Sequence, residues 1–252
     1  MLDLRGRTAI VTGASRRLGR AISLRLAGRG CNIVIQYRSS AADAGKVAAE
    51  VEKAGAGAWS VHSALNSREE CEKLIRSASE QSGGVHFLIN NASVFPAGDI
   101  ASAGREDFEE PMLVNAFAPY WLTASFSSTD ESISVVNMLD TRVSGYDFSN
   151  FPYYASKRLL ADITANQALR YAPSLRVNAV APGLILAPEG RGGEYLKKVA
   201  KAVPMLRHGE AEDVAAAVEF LLSSDFITGQ TIFVDGGQHL LPHIFGDNRE
   251  KR

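Results

Sequence analysis

Residues 8–20 read TAIVTGASRRLGR, an apolar run followed by a turn and the start of a helical pattern. Gly13 permits a tight turn after the run, and Gly19 allows the helix that follows to pack closely on its neighbours. Backbone N–H groups at the start of such a helix can face a pyrophosphate. The spacing is Gly-x5-Gly instead of the G-x-G-x-x-G fingerprint, so the turn alone is also compatible with an ordinary strand-to-helix connection.

Strand-like apolar runs alternate with helical patterns along the rest of the chain. The predicted strands are residues 8–12, 32–37, 58–62, 85–90, 132–139, 177–181 and 231–234. Most are apolar on both faces, which is typical of parallel strands covered by helices on both sides. The predicted fold class is therefore α/β, a single Rossmann-type, doubly wound domain over residues 1–246 with a central, mostly parallel seven-stranded sheet. Residues 247–252 are predicted to form a polar C-terminal tail.

Composition excludes several classes of protein. Apolar residues make up 46% of the 252 residues and charged residues 22%, which favours a sizeable core over disorder. The formal net charge is −1, so we expect no nucleic-acid or membrane partner. Cys31 and Cys71 indicate idle thiols, the five histidines lack metal-ligand spacing, and neither a signal sequence nor a long apolar segment is evident. We expect a cytoplasmic protein without a metal.

The end of the second predicted strand indicates which dinucleotide the turn would bind. An NAD site usually has an acid there, which binds the ribose 2′-OH. The sequence instead reads Gln36-Tyr37-Arg38-Ser39, and Arg17 lies in the turn. Two cations and a hydroxyl suit a 2′-phosphate, so the expected cofactor is NADPH.

A tyrosine and a lysine four residues apart supply candidate chemistry. Tyr153 and Lys157 lie in a helical pattern that runs to about residue 171, and their spacing places both on one face. A lysine ammonium beside a phenol is expected to lower the tyrosine pKa towards neutrality, as a general acid for carbonyl or imine reduction requires. Tyr154 is a rival, but its partner at the same spacing is Arg158.

Several motifs occur together in a fixed order. They are Thr12-Gly13-x5-Gly19, Asn90-Asn91-Ala92, Asn115, Tyr153-x3-Lys157 and Pro182-Gly183. This set strongly resembles the short-chain dehydrogenase/reductases. The resemblance implies that Tyr153 is the proton donor, that Lys157 binds the nicotinamide ribose, and that Asn115 helps to hold a water in a proton relay. It also implies a homotetramer, formed through the helices at 108–127 and 153–171.

The same resemblance extends the expected cofactor site. Asn90, Asn91 and Ala92 would stabilise the sheet and contact the adenosine ribose, and Pro182 and Gly183 would line the nicotinamide pocket. The expected cofactor contacts are Gly13, Arg16, Arg17, Leu18, Gly19, Tyr37, Arg38, Ser39, Leu65, Asn91, Ala92, Ser93, Lys157, Pro182 and Gly183.

Departures from the family pattern point to one branch. The serine usually found 13 residues before the tyrosine is replaced by Asp140, and the middle glycine of the turn is replaced by Arg17. Both changes, with several neighbouring sequence segments, resemble the pteridine reductases, and the stretch at 181–186 resembles the dihydromonapterin reductases. A third departure, Ala64 before Leu65 in place of the usual aspartate, removes an adenine contact.

A pteridine substrate suits these residues chemically. Reduction of a ring C=N needs a proton at nitrogen, which Tyr153 and Asp140 together can deliver. Phe95 would form one wall of a slot for a flat ring. The expected catalytic residues are Asp140, Tyr153, Lys157 and Asn115, and the expected substrate contacts are Arg17, Ser93, Phe95, Tyr153 and Leu186.

Two alternatives remain open from the sequence. In the first, the protein reduces a 3-oxoacyl-carrier-protein or another carbonyl compound, and Asp140 is an accidental variant. In the second, it is a non-catalytic NADPH-binding regulator that keeps the fold for sensing. The intact Tyr153, Lys157 and Asn115 argue against the second. The leading interpretation is an NADPH-dependent reductase of a pterin, dihydromonapterin or dihydrofolate.

Overall fold

The structure is a computed structural model that describes residues 1–129, 133–187, 190–241 and 244–245. Its strands are β1 (Thr8–Val11), β2 (Asn32–Tyr37), β3 (Ala58–His62), β4 (Phe87–Asn90), β5 (Ser134–Met138), β6 (Tyr146–Asp147), β7 (Arg176–Pro182), β8 (Thr231–Val234) and β9 (Ile244–Phe245). Its α-helices are α1 (Arg17–Ala27), α2 (Ala41–Lys53), α3 (Arg68–Ser82), α4 (Arg105–Met112), α5 (Ala118–Phe126), α6 (Phe151–Tyr171), α7 (Gly193–Ala200) and α8 (Ala211–Ser223).

Seven of these strands form one sheet in the order β3-β2-β1-β4-β5-β7-β8. Every pairing in it is parallel, so the predicted α/β fold with a seven-stranded, doubly wound sheet is confirmed. The strands β1, β4 and β5 are buried along their whole length, as expected where helices cover both faces. The extent of the predicted domain and tail stays a prediction, because residues 247–252 lie outside the described part of the chain.

The connection order places a crevice at one edge of the sheet. From β1 the chain moves outward to β2 and β3, then returns to the other side of β1 to form β4. Ligands of doubly wound sheets bind at such a switch point, outside the carboxyl ends of the strands. The residues that follow β1, β4, β5 and β7 therefore meet at this edge.

Two elements differ from the sequence-based expectation. The helix expected at residues 108–127 is divided, since a π-helical turn at Leu113–Phe117 separates α4 from α5. The short strands β6 and β9, which were not predicted, pair in parallel as a separate two-stranded sheet. Among the described residues no helix is long and apolar enough to cross a membrane.

Candidate active site

The turn after β1 has the geometry that an anionic ligand needs. Gly13 has a φ of +61°, which favours glycine, and a Cβ at Gly19 would lie 2.3 Å from the Gly13 carbonyl oxygen. The helix α1 begins at Arg17 with no acid in its first turn, and the side chain of its N-cap residue, Arg16, makes no capping hydrogen bond within the described chain. The N–H groups of that turn can therefore bind phosphate oxygens.

Polar side chains join the turn to β4 across the switch point. The Thr12 hydroxyl accepts hydrogen bonds from the backbone N–H groups of Asn91 and Ala92, both at 2.9 Å. The Asn91 amide donates to the carbonyl oxygens of Thr12 at 2.8 Å and Gly13 at 3.2 Å. In the next pair of strands, Asn90 donates to Asn137 at 2.7 Å. These bonds show how Asn90, Asn91 and Ala92 stabilise the centre of the sheet.

The end of β2 carries no carboxylate but is tied to the turn by an amide. The buried Gln36 accepts a hydrogen bond from the Gly13 N–H at 2.8 Å and donates to the Ser63 carbonyl oxygen at 2.7 Å. Sequence reasoning missed this link, since glutamine in an apolar strand gave no signal. Arg38, expected to meet a 2′-phosphate, forms a salt bridge of 2.8 Å with Glu110, and both side chains are exposed.

Other expected cofactor residues surround the same edge. Tyr37 packs edge-on against His62, and Leu65 is buried with a φ of +55°. Leu18 is partly buried against the main core cluster, as is Leu186, which was expected to contact the substrate. The Gly183 N–H donates to the Val234 carbonyl oxygen. These positions are compatible with the expected cofactor site, and the individual contacts stay predictions.

The helix α6 and the segment after β5 bring the reactive groups together. The Tyr153 hydroxyl donates a hydrogen bond of 2.8 Å to Asp140 Oδ2. Tyr153 and Lys157 are both buried, and Lys157 Nζ donates to the Met138 carbonyl oxygen at 2.8 Å. A carboxylate thus occupies the place beside the tyrosine hydroxyl.

The electrostatics of this pair correct one expectation. Burial, followed by the Asp140 carboxylate that accepts its hydrogen bond, raises the pKa of Tyr153 well above its usual value of about 10. Lys157 does not reverse this, because its ammonium bonds the Met138 carbonyl oxygen and lies 5.9 Å from the tyrosine ring centroid. Burial also lowers the pKa of Lys157 to about 8. The predicted lowering of the tyrosine pKa was therefore wrong.

Thr141 does not replace the missing serine. Its hydroxyl donates a hydrogen bond of 2.6 Å to the buried Asp235 carboxylate. Asp235 also accepts hydrogen bonds from the N–H groups of Gly237 and His239. The only side chain shown bonding the Tyr153 hydroxyl within the described residues is consequently that of Asp140.

Asn115 lies in the π-helical turn and is fully buried. Its amide group donates to the Val94 carbonyl oxygen at 2.9 Å and to the Ser156 hydroxyl at 3.0 Å. Its side-chain oxygen accepts from the Ser93 hydroxyl at 3.1 Å and from the Val94 N–H at 2.9 Å. The side chain therefore holds the loop after β4 against α6. The water that it was expected to help hold stays a prediction.

An aromatic and two cations stand at the open side of the site. Phe95 is 54% exposed, and its ring meets that of Tyr153 edge-to-face at 4.4 Å between centroids. The Arg142 guanidinium lies 5.1 Å from the Phe95 centroid. Arg17 donates to the Ala187 carbonyl oxygen at 2.9 Å. The position of Phe95 beside Tyr153 is compatible with the expected slot for a flat ring. No group of three potential metal ligands occurs in the described residues.

Comparison with known proteins identifies the family. A family model described as enoyl-(acyl carrier protein) reductase matches residues 13–239. The 3beta-hydroxysteroid dehydrogenase 1 of Eggerthella lenta is 32% identical over 95% of this chain and 96% of its own. The chain belongs to the short-chain dehydrogenase/reductase family. It is an NAD(P)-dependent reductase of that family, acting on a small molecule.

Two further relatives mark different branches of the family. The 3-oxoacyl-[acyl-carrier-protein] reductase FabG of Staphylococcus aureus is 27% identical over 93% of this chain and 98% of its own. The crystal structure of FolM alternative dihydrofolate reductase 1 from Brucella canis, complexed with NADP, has a TM-score of 0.89. It is 29% identical and covers 97% of this chain and 98% of that one.

Proposed function

We propose that this short-chain dehydrogenase/reductase is an NADPH-dependent pteridine reductase whose substrate is a pterin, dihydromonapterin or dihydrofolate. The observation that carries the proposal is the hydrogen bond of 2.8 Å from the Tyr153 hydroxyl to Asp140. A serine hydroxyl at that place polarises a carbonyl oxygen, whereas a carboxylate can exchange a proton with the phenol. The similarity to an alternative dihydrofolate reductase that binds NADP supports the same branch.

Cofactor choice follows from the charges around β2. NADPH, when bound, supplies the hydride that reduces the C=N carbon. The uncapped first turn of α1 suits the pyrophosphate, and Arg17 and Arg38 with Ser39 suit a 2′-phosphate because no acid follows β2. Arg38 would exchange Glu110 for the phosphate on binding. Equal turnover with NADH and NADPH would contradict this part of the proposal.

Proton delivery follows from the burial of the pair. Tyr153 is 6% exposed, whereas the Asp140 side chain is 22% exposed. The ring nitrogen gains electron density as the carbon is reduced and becomes basic enough to take the proton from the Tyr153 hydroxyl. Asp140, which is in contact with both solvent and Tyr153, then relays a proton from water to the phenolate. The net reaction consumes one hydride and one proton for each C=N bond reduced.

The slot above Tyr153 supports a flat substrate. The Phe95 ring stands beside the hydroxyl that donates the proton, so an aromatic heterocycle can pack against it within reach of Tyr153. Ser93, in the loop after β4, and Arg17, in the turn after β1, supply hydrogen-bond donors. Leu186 follows the pocket residues Pro182 and Gly183 and would close the apolar side.

The test is a comparison of substrates in an NADPH-oxidation assay. Purified protein would be given dihydrobiopterin, dihydromonapterin or an acetoacetyl thioester under identical conditions. The proposal expects turnover of a pterin at a rate well above that of the thioester. Turnover of the thioester alone would overturn it in favour of a carbonyl reductase, which the likeness to FabG also supports. Turnover of neither compound would overturn it in favour of a regulator that binds NADPH.

The homotetramer expected from the family stays part of this proposal. Apolar side chains are exposed on the helices that would form the interface: Tyr120 on α5, 43% exposed, and Leu169 on α6, 83% exposed. Exposed apolar groups on these helices favour burial against another subunit. Light scattering coupled to size-exclusion chromatography would report a mass near four times 27.1 kDa. A monomer mass would contradict the expectation.

A further inference from the structure

Arg142 lies in the segment that joins β5 to α6, within a 3-10 turn at Thr141–Ser144. The family motifs do not include it, and no pattern in the sequence marks it. Its contacts nevertheless reach both residues that distinguish the site, Asp140 and Phe95. It therefore connects Asp140, the proposed proton relay, to Phe95, the proposed aromatic wall of the slot.

The first contact is with Asp140. The backbone N–H of Arg142 donates to Asp140 Oδ1 at 2.8 Å, and the guanidinium Nε lies 3.7 Å from the same oxygen. The other carboxylate oxygen, Oδ2, accepts the hydrogen bond of Tyr153. With one oxygen held from the Arg142 side, the carboxylate is turned so that its second oxygen faces the phenol.

The second contact anchors the guanidinium itself. Arg142 Nη1 donates to Oδ2 of Asp147, whose side chain is fully buried. Asp147 Oδ1 also accepts the backbone N–H groups of Ser149 and Asn150, at 3.1 and 3.0 Å. Asn150 directly precedes α6, the helix that carries Tyr153. The ion pair therefore ties the segment that carries Asp140 to the start of the helix that carries its partner.

The third contact is with the slot wall. The Arg142 guanidinium lies 5.1 Å from the centroid of the Phe95 ring, within the range of a cation–π interaction. The same ring also meets that of Tyr153. Since Phe95 is otherwise largely exposed, this contact limits the orientations that its ring can adopt.

We propose that Arg142 is a positioning residue for the reaction, which fixes the Asp140 carboxylate against Tyr153 and the Phe95 ring beside the slot through its anchor on buried Asp147. This deepens the proposed function and rests on it for the role of Asp140. A lysine could keep the charge but not the planar group that meets a carboxylate and an aromatic face together.

The electrostatic setting agrees with this geometry. The charged groups near Tyr153 are Asp140, Asp147, Arg142 and Lys157. Burial is the largest cause of the raised pKa of Tyr153, the two carboxylates raise it further, and the Arg142 guanidinium opposes them. Without the guanidinium, two acids would stand near the phenol with Lys157 as the nearby cation.

The test compares Arg142→Met and Arg142→Lys with Arg158→Met. Arg158 is the matched control, because it donates to the Val143 carbonyl oxygen of the same 3-10 turn without a described contact to Asp140 or Phe95. Each variant would be crystallised, and its kcat, NADPH affinity and solvent deuterium isotope effect measured with the substrate that the wild type reduces best. A purely structural role would not change the isotope effect.

We expect Arg142→Met to lose at least tenfold in kcat, to bind NADPH within about twofold of wild type, and to show a larger solvent isotope effect. Arg142→Lys should recover only part of the rate, and Arg158→Met should match the wild type. In the crystal structures of both Arg142 variants, the Asp140 carboxylate or the Phe95 ring should have moved.

An Arg142→Met variant with wild-type kcat would overturn the inference, as would unchanged Asp140 and Phe95 positions. If Arg142→Met does not fold, Arg142→Lys decides alone, and wild-type kinetics with an unmoved Phe95 ring would refute the role. Failure of the proposed function is a separate result. If the wild type reduces only a thioester, the variants are assayed with that thioester. If it reduces neither, the crystal structures still give the answer.

Discussion

The Tyr153 hydroxyl donates its hydrogen bond to Asp140, 13 residues earlier in the chain, at 2.8 Å. The two residues belong to different elements, since Asp140 follows β5 and Tyr153 lies in the first turn of α6. Their contact places a carboxylate where the family pattern has a hydroxyl. It also makes the phenol a weaker acid in the free protein, so the pair is suited to protonate a strongly basic atom.

The Asp140→Ser variant tests whether that carboxylate is part of the reaction. We expect its kcat with a dihydropterin to fall by about 100-fold or more, within the range typical of a lost general acid or base. NADPH affinity should be nearly unchanged, because Asp140 is not among the expected cofactor contacts. Steady-state kinetics and NADPH fluorescence titration measure the two quantities separately. A parallel loss of cofactor affinity would mean that Asp140 holds the structure of the site.

Lys157 should give NADPH binding a dependence on pH. Its pKa is lowered to about 8 by burial, so the cofactor-free protein loses this ammonium as the pH rises through about 8. If the ammonium binds the nicotinamide ribose, the association constant should be constant below that pH and decrease above it. Titration of NADPH fluorescence from about pH 6 to about pH 9.5 measures the effect, because this range extends to both sides of the pKa of Lys157.

Lys157→Met is the control for that titration. It should bind NADPH more weakly at neutral pH and show no decrease near pH 8, since the titrating group is gone. A decrease that persists in Lys157→Met would assign the pH dependence to another group.

Arg38 and Glu110 should have opposite effects on cofactor affinity. Arg38→Met should weaken NADPH binding by roughly tenfold, about the 1.4 kcal/mol of one charge-assisted contact, and leave NADH unaffected. Glu110→Gln should strengthen NADPH binding slightly, because Arg38 then has no salt bridge to break before it binds the 2′-phosphate. Arg105→Met is the matched control. Arg105 lies on α4, the helix that also carries Glu110, but it pairs with Glu109. Equal losses for NADH and NADPH in Arg38→Met would refute a 2′-phosphate contact.

The helix α6 and the doubly wound sheet could be predicted because local pattern determines them. The apolar strands and the spacing of Tyr153 and Lys157 depend on residues near in sequence, and α6 has its predicted extent. The direction in which the pKa of Tyr153 shifts could not be predicted, since it depends on burial of the phenol and on the Asp140 carboxylate that accepts its hydrogen bond. Both the burial and this contact exist only in the folded chain.

The division of the helix predicted at residues 108–127 had a similar cause. The π-helical turn contains Asn115, whose amide bonds groups on both the β4 loop and α6. A hydrophobic pattern with helical periodicity carries no information about such long-range hydrogen bonds. The Arg142–Asp147 ion pair likewise joins residues five apart in an irregular segment, where periodicity carries no information.

Gly19 and Gly45 should respond oppositely to replacement by alanine, although both lie in helices. At Gly19 a Cβ would lie 2.3 Å from the Gly13 carbonyl oxygen and 2.8 Å from the Ala14 Cα. Neither backbone atom can move without opening the turn after β1, so Gly19→Ala should destabilise the fold by about 2 kcal/mol or more. It should also reduce NADPH affinity, because the same turn faces the expected pyrophosphate.

Gly45→Ala is the matched control, as its Cβ would meet nothing within 4 Å on the helix α2. It should stabilise the protein by about 0.5–1 kcal/mol through helix propensity. Urea unfolding of the two variants gives the free energies of unfolding for comparison with wild type. A Gly19→Ala protein as stable as the wild type would mean that the turn can widen, and the close packing of α1 on the Gly13 turn would then not be what shapes the phosphate site.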